Sequence, residues 1–219
     1  MDNEHYSILH SSPIPEYLNQ LERETQMKMA KPNMLTGQLQ GRFLSFISKS
    51  IQPKDILEVG TYTGYGCLCL AEGMRSDGKL ISLEVNEENA WLAKKYIAQS
   101  PFSSQIELIF GPALTFIETN SQSWDLVYID ADKQNNLLYF QAIWPKVRPG
   151  GIVMVDNVFG RGAIWKNEEG QKPFEKAIVE FNQWLSKITD GSILMLPIRD
   201  GISCVLKNNL TDLPVDKKN

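Results

Sequence analysis

The segment Leu57-Glu-Val-Gly-Thr-Tyr-Thr-Gly-Tyr-Gly66 restricts the fold more than any other part of the chain. The apolar run Asp55-Ile-Leu-Glu-Val59 stops at Gly60, glycines return at Gly64 and Gly66, and Cys67-Leu-Cys-Leu-Ala-Glu72 has the character of a helix. A strand, a glycine turn and a helix in that order bring backbone N–H groups to the carboxyl edge of a parallel sheet, where a nucleotide-like cofactor can approach the main chain. The glycines are not spaced as in a pyrophosphate-binding G-x-G-x-x-G turn. A turn of this kind also serves as a tight connection with no ligand, so a second feature has to support it. That feature is Glu84, which ends the next apolar run, Lys79-Leu-Ile-Ser-Leu-Glu84. A carboxylate at the tip of a second strand is placed to accept hydrogen bonds from a ribose diol. Together with Glu58 it makes the site acidic, which suits a cofactor bearing an amine and a positive charge better than one bearing two phosphates. S-adenosylmethionine fits that description.

The rest of the chain extends the alternation. Two amphipathic helices are expected before the first strand, over Glu16–Ala30 and Thr36–Ser48. Strands are expected at Ile56–Val59, Leu80–Val85, Ile106–Phe110, Leu126–Ile129 and Ile152–Val155, the last entered through a turn at Pro149-Gly150-Gly151. Helices fall between them, at Gly66–Met74, from Asn86 as cap to Tyr96, at Leu114–Glu118, and from about Asn135 to Trp144. Phe174, Ala177, Ile178, Phe181, Leu185 and Ile188 then mark a long amphipathic helix. Arg199-Asp200-Gly201, between two apolar runs, reads as a hairpin. The expectation is an α/β fold with a seven-stranded mixed sheet, one strand antiparallel near an edge, and helices on both faces.

A chain of 219 residues that is 42% hydrophobic can bury one substantial core, so residues 1–219 are expected to form a single domain, with 1–50 as a leader and helical cap. The formal net charge of −4, with acids and bases interspersed, argues against nucleic acid and anionic membrane as partners. Cys67, Cys69 and Cys204 form no CxxC pair and read as small core residues of a reducing compartment. No apolar signal segment or membrane-length run is visible, so a cytoplasmic location is expected. The only histidines, His5 and His10, lie in the leader and read as exposed tail residues, which leaves Asp, Glu, Asn or Lys for any chemistry in the core.

Two further strand ends are acidic. Asp125-Leu-Val-Tyr-Ile129 runs into Asp130-Ala-Asp-Lys133, and Gly151-Ile-Val-Met-Val155 runs into Asp156-Asn157. If these strands are neighbours, their carboxylates repel one another and lose hydration, and each is driven to take up a proton or a cation. A hard divalent ion resolves the conflict, and Asp130, Asp156 and the amide oxygen of Asn157 are the oxygen ligands it prefers. The same residues also suit helix capping, at Asp130 or Asp132, and a plain turn, at Asp156-Asn157.

With these segments in view the chain resembles the cation-dependent O-methyltransferases of the catechol and caffeoyl-coenzyme A type, and their small bacterial members most of all. The resemblance rests on Asn33-Met-Leu-Thr-Gly37, Leu57–Tyr65, Leu70-Ala-Glu-Gly73, Gly111-Pro-Ala113, Tyr128–Lys133, Pro149-Gly-Gly151, Asp156-Asn157-Val158, Phe181-Asn182 and Leu196–Gly201, and runs from about residue 20 to Lys207. It implies a Rossmann-like methyltransferase fold that takes S-adenosylmethionine and a divalent cation, Mg²⁺ first, with Mn²⁺ or Ca²⁺ as alternatives. It also implies a small hydroxylated aromatic substrate and a homodimer. The counterparts of Met34 and Thr36 close over the cofactor, those of Glu58 and Gly60 meet its amino acid end, Glu84 holds the ribose, and Ala113 lies by the adenine. Tyr65, Gly66, Asp130 and Asp132 complete the implied cofactor set. Asp130, Asp156 and Asn157 match the metal ligands, and Lys133, beside Asp130, matches the general base. Gly66 stands where the family has a serine, Gly160 where it has an aromatic residue, and the tyrosine usual after Lys-x-Asn is missing. The segment Gly160–Gly170, with Trp165, is expected to form a wall of the acceptor site.

Three other readings stay open on sequence. The glycine turn alone would allow a nicotinamide-dependent oxidoreductase. Methylation of RNA or protein is opposed by the acidic composition and by Asp130-Ala-Asp-Lys133 standing where an Asn/Asp-Pro-Pro-Tyr motif would be. A non-catalytic binding module is the third, since Gly66 and Gly160 depart from the family pattern.

Overall fold

The computed structural model describes residues 3–88 and 90–208. Its strands form one seven-stranded mixed sheet in the order β3-β2-β1-β4-β5-β7-β6, and the backbone clusters into two compact units, the first ending at Phe116 and the second beginning at Ile117.

In the first unit, β1 (Asp55–Val59), β2 (Lys79–Glu84) and β3 (Ile106–Phe110) pair in parallel, with Glu58 opposite Ser82 and Glu84 opposite Phe110. β1 and β2 are buried almost throughout, as parallel strands covered on both faces must be. Around them lie α1 (Asn3–Leu9), α2 (Glu16–Lys28), α3 (Gln38–Ile51), α4 (Tyr65–Ala71), α5 (Trp91–Gln99) and α6 (Ala113–Thr119). α2 buries Leu18, Leu21 and Thr25 on one stripe, and the Thr25 hydroxyl donates to Thr63 Oγ1 at 3.2 Å, which ties the helix to the glycine turn. α3 approaches α4 closely at Gly41, where a Cβ would stand 2.6 Å from Tyr65 Cε1, so that glycine admits the buried tyrosine ring.

The second unit holds β4 (Trp124–Ile129), α7 (Asn136–Ile143), β5 (Val147–Asp156), α8 (Pro173–Leu185), β6 (Gly191–Leu196) and β7 (Ile202–Lys207). β4 and β5 are parallel, while β7 is antiparallel to both β5 and β6, which is the strand reversal expected near the edge. α8 begins with Pro173 at its first turn, and Glu175 Oε2 reaches back to accept from Lys172 N at 2.7 Å. Phe140 of α7 is fully buried, with its ring centroid 5.2 Å from that of Trp144 and 6.0 Å from that of Phe181. Truncating such a ring costs about 3–5 kcal/mol.

Three local expectations are corrected. Pro149-Gly150-Gly151 lies inside β5 and not before it: Val147 pairs with Trp124 and Ile152 with Leu126, and the surplus residues on β5 form a bulge with Gly150 at φ +77°. Asn86 does not cap the following helix, which starts at Trp91; its Oδ1 accepts from Glu88 N at 3.0 Å, and this short Asx turn delays the helix. Asn89, within that expected helix, is outside the described residues. The leader is not a plain tail: its start forms α1, and His10 just past that helix stacks on Tyr6 with centroids 3.9 Å apart, while both histidines are exposed as read. Among the described residues no helix is long and apolar enough to cross a membrane.

Candidate functional site

The glycine turn in the first unit is built from β1 upward. Gly60 N donates to Leu83 O at 2.9 Å, extending the ladder one residue past β1, and Gly60 at φ +102° turns the chain out of the sheet. Gly64 at φ +88° turns it back: its N–H donates to Thr61 O at 2.9 Å, its carbonyl accepts the first helical bond from Leu68 N, and a Cβ there would press on Ala93 at 3.2 Å. The carboxylates beside the turn are held by short polar links. Glu58, 1% exposed, accepts from Ser82 Oγ, which lies 2.5 Å from Thr61 Oγ1. Glu84, 8% exposed, accepts from Tyr62 N at 2.7 Å through one oxygen and from Asn86 N at 2.8 Å through the other. Two main-chain donors thus fix its orientation at the end of β2, while each oxygen keeps a further lone pair for a ligand hydroxyl.

Other residues of the expected cofactor set in this unit are distributed around that turn and α3. Met34 ends a 3₁₀ turn over Pro32–Met34 and is half exposed, while Thr36 is buried. Ala113 opens α6 just after Gly111, whose N–H donates to Glu84 O at 3.0 Å. Tyr65 and Gly66 open α4 and both are buried; the Tyr65 hydroxyl has no partner among the described residues.

In the second unit the acidic strand ends meet. Asp130 follows β4 and Asp156 ends β5; the Tyr128 hydroxyl, buried in β4, lies 3.3 Å from Asp156 Oδ2 and 3.5 Å from Asp130 Oδ2. One hydroxyl carries one proton, so it satisfies at most one of the two carboxylates at a time. The cation at hand is Lys133, whose Nζ donates to Asp130 Oδ1 at 2.6 Å. Burial pushes the Asp130 carboxyl up to about 6; Lys133 opposes that rise and Asp156 adds to it. Asp156, 3% exposed, accepts from Asn157 N at 2.7 Å, and Asn157 is held at φ +58°, a left-handed conformation that asparagine tolerates better than most residues.

Asp132 is engaged locally: its oxygens accept from the Tyr139 hydroxyl at 2.6 Å and from Asn135 Nδ2 at 2.5 Å, which braces the entry to α7. The structure therefore brings Asp130, Lys133 and Asp156 into one cluster. Among the described residues no group of three or more His, Cys, Asp or Glu side chains is arranged to hold a metal. The cluster contains two carboxylates, and the third oxygen expected from sequence is an amide. Two carboxylates and an amide on adjoining positions are oxygen donors suited to Mg²⁺, Mn²⁺ or Ca²⁺, and the donor set fits a hard cation on that chemistry.

Sequence reasoning gave no role to Ser82 or Tyr128. Tyr128 was detectable from strand periodicity, being two residues from Asp130 and so on the same face, whereas Ser82 meets Glu58 only through the β1–β2 register of the folded sheet. The missing aromatic at Gly160 also has a structural reason. Gly160 is buried at φ +57°, and a Cβ would stand 2.9 Å from Ile178 Cδ1 of α8. The main chain packs on α8 there, and Arg161 and Gly162 continue the left-handed path to Trp165, 84% exposed.

Comparison with known proteins gives a consistent result. A family profile described as O-methyltransferase matches residues 8–208. A caffeoyl-CoA O-methyltransferase of Medicago sativa is 31% identical over 210 residues, covering 90% of this chain and 85% of its own length. Among solved structures, the SAH-bound methyltransferase PaMTH1 of Podospora anserina superposes with a TM-score of 0.84 at 26% identity, covering 94% of this chain and 93% of its own. An O-methyltransferase from Bacillus cereus in complex with SAH does so with a TM-score of 0.84 at 27% identity, covering 93% and 96%.

Proposed function

The chain belongs to the S-adenosylmethionine-dependent O-methyltransferases related to the caffeoyl-CoA enzymes, and on that premise we propose that it methylates a cation-coordinated hydroxyl of a small catechol-like or hydroxylated aromatic acceptor. The observation that carries this reading is the convergence of Asp130 and Asp156 on the single Tyr128 hydroxyl, an acidic pair with more negative charge than its neighbours neutralise.

A methyl group on a sulfonium is already activated, so the protein has to orient it and deliver an anionic oxygen in line behind it. Orientation falls to the first unit. Glu84 would take the ribose hydroxyls on oxygens already aligned by Tyr62 N and Asn86 N, and the Gly60 turn would bring main-chain N–H groups to the amino acid end. A phenolic hydroxyl has a pKa near 10, which leaves roughly one part in a thousand ionised at neutral pH, a handicap of about 4 kcal/mol. A divalent cation held by Asp130, Asp156 and Asn157 would supply the lowering of that pKa.

Lys133 would remove the proton in this reading. In the structure its Nζ is paired with Asp130 Oδ1 at 2.6 Å. With one proton of its ammonium passed to water, Lys133 Nζ would have the lone pair that accepts the acceptor's O–H proton, and a cation on the Asp130 carboxylate would free it from its present ion pair. Bound at the Gly60 turn, S-adenosylmethionine would supply the methyl group: the acceptor oxygen's lone pair would form the O–CH₃ bond as the S–CH₃ bond broke and its electrons returned to sulfur, with no net redox change. Asp132, bound to Tyr139 and Asn135, would hold the Asp130–Lys133 segment in shape.

The test is methyl transfer from labelled S-adenosylmethionine to a panel of catechols and other hydroxylated aromatics, with chelator and with Mg²⁺, Mn²⁺ or Ca²⁺ restored. Transfer to a vicinal diol that chelator abolishes and cation restores is expected. Transfer that survives chelation would remove the cation from the mechanism and leave the family assignment intact.

A further inference from the structure

Two sequence motifs, Phe181-Asn182 and the hairpin Arg199-Asp200-Gly201, have no part in the chemistry described so far, yet both close on the turn that carries Asn157. Val158 N donates to Gly201 O at 3.2 Å and Phe159 N to Asp200 O at 2.9 Å, so the tip of the β6–β7 hairpin runs alongside the turn as a short ladder. Asp200 adds a side-chain bond, accepting from Arg161 N at 2.7 Å. From the other side, Asn182 of α8 donates through Nδ2 to Val158 O at 2.7 Å. Gly201, at φ +83°, lies flat against Phe159, where a Cβ would stand 2.7 Å from the ring.

These bonds hold a stretch of backbone that would not hold itself. Asn157, Gly160, Arg161 and Gly162 all have positive φ, and the turn's own bonds are those from Gly160 N to Asn157 O at 3.1 Å and from Gly162 N to Phe159 O at 3.1 Å. A left-handed non-glycine residue persists when its surroundings over-determine it. Asp200 is the element of the hairpin that does so through a side chain, and Asn182 is its counterpart on α8.

We infer that Asp200 and Asn182 are positioning residues that clamp the Asn157–Arg161 turn and so fix the direction of the Asn157 side chain as a cation ligand. The inference rests on the reading of Asp130, Asp156 and Asn157 as a cation site. Groups that orient a ligand without touching the ion shift metal affinity by about 10–100-fold when removed.

The experiment is Mn²⁺ titration of the full chain, followed by electron paramagnetic resonance without cofactor or acceptor. It compares wild type with Asp200→Ala, Asp200→Asn and Asn182→Ala, and melting curves confirm that each is folded. Asp200→Ala and Asn182→Ala should each weaken Mn²⁺ binding by about tenfold. Asp200→Asn, which keeps an oxygen for Arg161 N, should restore wild-type affinity; a role in stability alone would shift melting and leave affinity unmoved. Equal Mn²⁺ affinity in wild type, Asp200→Ala and Asn182→Ala would overturn the positioning role while leaving the cation site standing. Failure of the wild type itself to bind Mn²⁺ would overturn the inference together with the reading beneath it.

Discussion

Glu84 and Asp156 are both buried carboxylates at the last position of a strand, yet they are completed in different ways. Glu84 receives a main-chain N–H on each oxygen, from Tyr62 and Asn86. Asp156 receives one, from Asn157, and its other oxygen competes with Asp130 for the Tyr128 hydroxyl. The first arrangement is finished by the backbone, and in the proposed reading it would take neutral hydroxyls. The second sets two carboxylates against one hydroxyl and one ammonium, and in the proposed reading it would take a cation.

The sharpest way to break this contrast is to remove Asp156. Asp156→Ala should lower methyl transfer by at least about a hundredfold and abolish Mn²⁺ binding, because a lost ligand costs more than the 10–100-fold of a group that only orients one. Calorimetry with S-adenosylhomocysteine should give an unchanged affinity; a collapse there would show that the two acids do not have separate tasks. Glu84→Gln is the converse test. Losing a charged acceptor costs about 1.5–3 kcal/mol, so S-adenosylhomocysteine should bind roughly tenfold to a hundredfold more weakly while Mn²⁺ affinity stays put.

A smaller effect is expected at Tyr128. Tyr128→Phe removes a buried donor from two carboxylates, and urea unfolding of the chelated protein should show a loss of about 1 kcal/mol. A more stable variant would mean that the hydroxyl is not holding the pair. The smallest effect concerns an acid given no part in either task. Glu24 is held down to about 2 by hydrogen bonds from Lys28, then Lys95 and Tyr96. A carboxyl lowered from 4.5 stabilises the fold above that value, and its contribution is lost as pH falls from about 4.5 toward 2. Glu24→Gln should lower stability modestly above about pH 4.5, flatten the curve between about 4.5 and 2, and leave stability below about 2 nearly unchanged.

Most of the architecture was legible because its signals are periodic and local. Gly60 follows an apolar run, Glu84 ends another, and Asp130 and Asp156 end two more, so the strand ends declared themselves. The β5 bulge was not legible, since nothing in Pro149-Gly150-Gly151 says that Val147 will pair with Trp124 beyond it. Asn86 misled for a related reason: an asparagine before acidic residues suits an Asx turn as well as a helix cap, and the choice depends on what Glu84 does with Asn86 N. The roles of Asp200 and Asn182 were invisible because each acts on a turn distant in sequence, and only the folded chain brings them to Val158 and Arg161.

The central claim is that Asp130, Asp156 and Asn157 gather a hard cation. Anomalous diffraction from crystals soaked in Mn²⁺ tests it most directly. A single peak at metal–oxygen distance from both carboxylates and the Asn157 amide oxygen is the predicted result; a peak elsewhere, or none at saturating Mn²⁺, would contradict it.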